Sequence, residues 1–97
     1  MSERLYALAI HADAESEWAK LDATGKARFK AKLGKERLLA PRVPKDALHG
    51  LPDCYKIKIT TLQCRLAYHV DDARRLVTLL AVSSRDDVYA LLQQRLA

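Results

Sequence analysis

Lys56, Lys58 and Arg65 are the residues of this chain best suited by type and spacing to do chemistry. In Cys54-Tyr55-Lys56-Ile57-Lys58-Ile59 apolar and basic residues alternate, and in Arg65-Leu66-Ala67-Tyr68-His69-Val70 the large apolar residues are Leu66, Tyr68 and Val70. A period of two is that of a strand with one buried face. If both strands bury their apolar side chains in one core, an even position of the first lies across from an odd position of the second. That parity gathers Lys56, Lys58 and Arg65 on one face. Cations at neighbouring cross-strand positions repel one another unless an anion joins them, although long lysines on a solvated face can also splay into water. Arg85 and Tyr89 then follow, one helical turn apart after the next strand, which brings an arginine and an aromatic ring to the sheet's rim.

Such a set suits single-stranded RNA, where a base stacks on an aromatic ring and cationic side chains hold the phosphate. RNA cleavage needs little more. A 2′-hydroxyl must lose a proton and attack the adjacent phosphorus, and the extra negative charge of the pentavalent centre must be stabilised. Arginine serves that last role because its planar donors match phosphate oxygens in pairs. A lysine becomes a base only if its pKa falls from about 10.4 toward neutrality, the direction in which neighbouring cations push it. His69 shares the cationic face by parity and is a minor candidate for acid or base. Cys54 reads as a small strand residue, since nothing orients a base toward it.

The remaining sequence must supply elements that hold this face in place. Ninety-seven residues, 49% hydrophobic and 30% charged, fit one globular domain spanning 1–97. Leu5 to Ile10 is an apolar run expected to form a buried strand. Asp13 can cap a helix carrying Ala14, Trp18 and Leu21 on one stripe, with Trp18 as packing, and Thr24 sits where a second cap should be. The second helix reaches about Leu39, weakened but not ended by Gly34. On its wheel Lys26, Lys30 and Arg37 share one side while Arg28, Lys32 and Lys35 share another, so all six are candidates for a phosphate-facing flank. Pro41, Pro44 and Gly50 mark an irregular connection to the hairpin. Asp71-Asp72 turns the chain into a central strand from Arg75 to Val82. Ser84-Arg85-Asp86-Asp87 offers a capping box for a final helix that buries Val88, Leu91, Leu92 and Leu96. The order is β-α-α-β-β-β-α, an α+β domain. Its small antiparallel sheet, an N-terminal strand plus a three-stranded meander, is covered by two N-terminal helices and a C-terminal helix.

Charge points to the same class of partner. Between positions 24 and 58 ten Lys or Arg face three Asp or Glu, a local +7 within a chain of net +5. A basic middle suits a polyanion such as nucleic acid. The longest apolar tract, Leu76 to Val82, is too short to span a membrane, and Met1-Ser2-Glu3-Arg4 leads into no secretory cleavage pattern. Parity places Cys54 and Cys64 on opposite faces, where they cannot form a disulfide. His11, His49 and His69 fall on three separate elements, so no metal site and no cofactor are expected, and a reducing, cytoplasmic setting is the simplest reading.

Asp53-Cys54-Tyr55-Lys56-Ile57-Lys58, Cys64-Arg65-Leu66-Ala67-Tyr68-His69-Val70 and Arg85-x-x-Val88-Tyr89 resemble the RelE family of toxin–antitoxin ribonucleases. Glu17-Trp18-x-Lys20-Leu21 and Leu48-x-Gly50 extend the likeness over nearly the whole chain. The resemblance implies a toxin that enters the ribosomal A site and cuts mRNA without a metal, leaving a cyclic phosphate and a 5′-hydroxyl. It also implies a cognate antitoxin that forms a hetero-oligomer with it. Lys56 and Lys58 then match the base and charge-stabilising lysines, Arg65 the phosphate-holding arginine, and Tyr89 the tyrosine that stacks on or orients the nucleotide. Arg85 is the least direct match. Fuller members carry a Gly-Lys-Arg-Glu-Arg type run where this chain has Val82-Ser83-Ser84-Arg85-Asp86-Asp87, two residues shorter between Arg65 and Tyr89. Two alternatives stay open: a ParE-like inhibitor of DNA gyrase, which does not require the cationic face, and a member that binds RNA and antitoxin with little or no cutting.

Overall fold

The computed structural model describes residues 5–59, 63–83 and 88–95. Arg85, the Ser84 capping box, the hairpin turn at 60–62 and Leu96 lie outside the described residues. Along the chain come β1 (Ala7–Ile10), α1 (Ala12–Ala19), α2 (Ala23–Lys32), a π-helical turn continuing α2 (Leu33–Arg37) and a short 3-10 turn (Pro44–Asp46). Strands β2 (Cys54–Ile59), β3 (Cys64–Asp71) and β4 (Leu76–Ser83) follow, and then helix α3 (Val88–Arg95).

The strand order is β1-β4-β3-β2, with β4 inside the sheet as its two-sided apolar pattern requires. The meander is antiparallel, but β1 runs parallel to β4, so the sheet is mixed and not the antiparallel one expected. The reason is topological. The crossover through α1 and α2 lets β2 start in the direction of β1, and two hairpin turns later β4 runs that way again. Nor is β1 buried. As a four-residue edge strand with one neighbour it leaves Leu8 44% and Ile10 37% exposed.

Both helix caps lie two residues upstream of the expected ones, because the side chain that reaches back to an unpaired amide decides the cap. Imidazole Nδ1 of His11 accepts from the Asp13 N–H at 3.1 Å, and Asp22 Oδ1 accepts from the Gly25 N–H at 2.7 Å. Asp13 and Glu15 instead occupy the first turn of α1, where carboxylates complement the helix dipole.

The sheet is covered on both faces. On one side Phe29 and Leu33 pack on Ile57, Leu66, Tyr68, Val77 and Leu79, with Trp18 at the border, its ring 6.4 Å from that of Phe29. On the other, Val88 and Leu92 of α3 pack on Cys54, Ala67, Leu80 and Ala81. The cationic face is therefore half roofed, where the sequence suggested a single buried face. Two alanines make room for the roof. Opposite Ala67 and Tyr68 the β4 partners are Ala81 and Leu79, so Leu80 is an extra residue that forms a β-bulge.

Candidate active site

Register places the cationic side chains. Lys58 lies directly opposite Arg65, and Arg65 opposite Ser83, so one row across β2, β3 and β4 reads Lys58, Arg65, Ser83. The next row on the same face is Lys56, Ala67, Ala81, and the one beyond it Cys54, His69, Thr78. Side chains directly opposite in an antiparallel pair stand roughly 5 Å apart at Cβ. Helix α3 covers the two alanines and Cys54, while Lys58 stays exposed and Lys56, Arg65, Ser83 and His69 are half-buried. The floor is a strip of cations at the end of the sheet that the helix leaves open.

Tyr89 stands in the first turn of α3, half-buried. Its hydroxyl lies 3.0 Å from the point a Cβ on Gly50 would occupy, and Gly50 has φ +76°. Glycine is needed there twice over, for the left-handed backbone and for the room it leaves the phenol.

The basic residues of α2 divide. Arg28, Lys32 and Lys35 join Lys58 and Ile59 along an open groove of about 500 Å³ that continues from the cationic floor. Lys30 lines a separate, mostly apolar groove beside Leu8, Ile10 and Trp18, and Lys26 is half-buried. Arg37 departs from the expected flank altogether. It is 5% exposed, and its Nη1 donates to Tyr68 Oη at 2.9 Å and to the Lys56 carbonyl at 3.1 Å while Nη2 meets Asp46 at 2.6 Å. Burial disfavours its charge, but the Tyr68 and Asp46 contacts outweigh that and raise its pKa. The physical reason is the π turn. The Leu38 N–H reaches the Leu33 carbonyl, an i to i+5 bond that adds a residue to the turn and carries Arg37 off the α-helical wheel.

Sequence reasoning therefore missed a structural hub behind the floor. Tyr68 Oη donates to the Pro41 carbonyl at 2.6 Å and accepts from Arg37, with burial pushing its pKa up. The opposite end of the hairpin is clamped by Arg42, which donates to Asp53 at 2.8 Å and to Asp72 at 2.9 Å, while the Tyr6 hydroxyl donates to Asp72 at 2.6 Å. Two of the ten cations in the basic middle thus serve the fold. Cys54 is buried and its thiol pKa is pushed up by that burial and by Asp53. Among the described residues no three His, Cys, Asp or Glu side chains converge as metal ligands, and no helix is long and apolar enough to cross a membrane.

No protein-family model matches the chain. The mRNA interferase toxin RelE of Escherichia coli strain K12 is 39% identical over 87 residues, covering 88% of this chain and 90% of that protein. The chain belongs to the RelE family of toxins. A substituted E. coli RelE toxin in the free state superposes with a TM-score of 0.85 at 34% identity, covering 97% of this chain and 100% of its own. The RelE chain of the intact E. coli RelBE toxin–antitoxin complex gives a TM-score of 0.77 at 38% identity, covering 80% and 94%. In this RelE-family chain Lys56, Lys58 and Arg65 meet on one open strip, Tyr89 sits on the helix beside it, and Arg37 lies behind it. The signal that could have exposed Arg37 is the pairing of a lone Asp46 with a tyrosine on the core parity of β3.

Proposed function

We propose that this RelE-family toxin is a ribosome-dependent, metal-independent endoribonuclease that cuts mRNA in the A site. The observation that carries the reading is Lys58 directly across from Arg65 on the open part of a face whose next row holds Lys56. One lysine in its neutral form takes the proton of the 2′-hydroxyl, the 2′-oxygen forms a bond to phosphorus, and the bond from phosphorus to the 5′-oxygen breaks. A cation gives the leaving oxygen its proton, so the products are a 2′,3′-cyclic phosphate and a 5′-hydroxyl. Arg65 holds the phosphate oxygens, and the second lysine offsets the charge that builds on the pentavalent centre. Tyr89 stacks on or orients the nucleotide, and Arg85 contributes a further positive charge. Arg28, Lys32 and Lys35 extend the field along the groove that opens at Lys58, a track for the phosphates of mRNA or ribosomal RNA. A cognate antitoxin holds the toxin inactive in a complex like that of its RelBE relative, and the pair works in the cytoplasm.

The test is cleavage-site mapping on programmed ribosomes. The wild-type chain should cut within the A-site codon, and Lys56→Ala and Arg65→Ala should abolish growth arrest while leaving antitoxin binding intact. Intact mRNA on ribosomes saturated with the wild-type protein would refute the reading.

A further inference from the structure

Helix α3 carries Tyr89 at one end and Arg95 at the other. Along the helix only Val88 and Leu92 are fully buried, and they lie one turn apart. Apolar contacts of this kind hold a helix against a sheet but are non-directional, so they resist rotation about its axis weakly.

Direction is supplied at the last turn. Arg95 Nη1 donates to Glu17 Oε1 at 2.9 Å and to the Leu80 carbonyl at 2.6 Å, and Nη2 donates to Glu17 Oε2 at 2.7 Å. Glu17 Oε1 also accepts from the Val82 N–H at 3.0 Å. These bonds occupy the edge of β4 beyond Ile10, where β1 stops pairing, and Leu80 is the bulge residue. The bulge and the short edge strand together leave a carbonyl and an amide that the Glu17–Arg95 pair satisfies. A planar guanidinium held at three acceptors is fixed in orientation as well as position.

We propose that Arg95, locked by Glu17 and the Leu80 carbonyl, is a positioning residue that sets the rotation of α3 and thereby seats Tyr89 over Gly50. The functional consequence rests on the nucleotide-orienting role proposed for Tyr89. Released from its clasp, α3 keeps its apolar seat but turns, and the phenol leaves the space that a side chain on Gly50 would fill.

Two measurements test this on the full chain. In NMR spectra, the wild-type protein should show cross-relaxation between the Tyr89 ring and the Gly50 α-protons. Arg95→Ala should lose it while keeping the Ala67 to Ala81 cross-strand signals, and Arg95→Lys, which keeps the charge without the fork, should weaken it. In steady-state cleavage on ribosomes, Arg95→Ala should lower kcat about 10- to 100-fold with KM unchanged. In a Tyr89→Ala background the same substitution should then have almost no further effect, because a residue that acts through another is not additive with it. An undiminished Tyr89 to Gly50 signal in Arg95→Ala, or a full loss of kcat repeated in the Tyr89→Ala background, overturns the proposal. If Arg95→Ala does not fold, Glu17→Gln carries the same two readouts. Should the wild-type chain cut no mRNA, the cleavage reading falls while the NMR arm still decides whether Arg95 seats Tyr89.

Discussion

Arg37 and Arg65 stand on opposite faces of the same hairpin. Arg37 lies beneath α2 with a carboxylate, a phenol and a main-chain carbonyl around it, and is almost wholly enclosed. Arg65 lies on the other face, half-exposed, with a lysine directly opposite it in β2. A buried cation is tolerated when its donors are matched within the fold. A lysine directly opposite an arginine at a surface is a pairing that suits a phosphate, whose oxygens accept from both. One arginine thus holds the hairpin from behind, and the other is the one proposed to hold phosphate.

The comparison can be broken most severely at Arg37. Arg37→Ala leaves Asp46 and Tyr68 without their partner and should cost about 3–5 kcal/mol of folding stability, measurable by urea denaturation. Arg65→Ala should do the reverse, lowering cleavage by roughly 10²–10³-fold with a denaturation midpoint close to wild type. If Arg65→Ala unfolds the protein as Arg37→Ala does, the division between the faces is wrong. The small residues under α3 come next. Ala67→Leu forces methylenes into the fully buried seat of α3 and should cost about 1–3 kcal/mol, again read from denaturation. Replacing Lys32 and Lys35 together by alanine should leave stability unchanged and weaken RNA association several-fold, with a shallower dependence of log affinity on log salt. The smallest effect is on the acid limb. Burial opposes the Glu17 charge, but the Arg95 hydrogen bond and the Val82 N–H outweigh it and hold the carboxyl below its ordinary value. A depressed carboxylate contributes stability above its unfolded pKa of about 4.3 and loses it as pH falls through the lower folded value. Glu17→Gln should therefore flatten the fall in melting temperature below about pH 4.

Strand alternation made the hairpin register legible, and with it the convergence of Lys56, Lys58 and Arg65, because a period of two leaves little freedom once one face must be buried. The element order was legible for the same reason. The direction of β1 was not, since an apolar run carries no sign of which neighbour it will join or how much of it a partner will cover. Arg37 was hidden by the π turn, which changes the angular spacing that a helical wheel assumes. The clasp between Glu17 and Arg95 was hidden by distance along the chain: the two charged side chains lie 78 positions apart, and no local periodicity links them.

The two cysteines have a practical consequence. Cys54 is enclosed beneath α3 with its thiol held protonated, whereas Cys64 is only half-buried, at the start of β3 beside Lys20 and Ser83. Thiolate reagents act on accessible, ionisable thiols. The native chain therefore carries one thiol more accessible than the other, next to Arg65 in sequence but on the opposite face of β3, so a fluorophore or spin label can report from the α2 side of the hairpin with no cysteine added or removed.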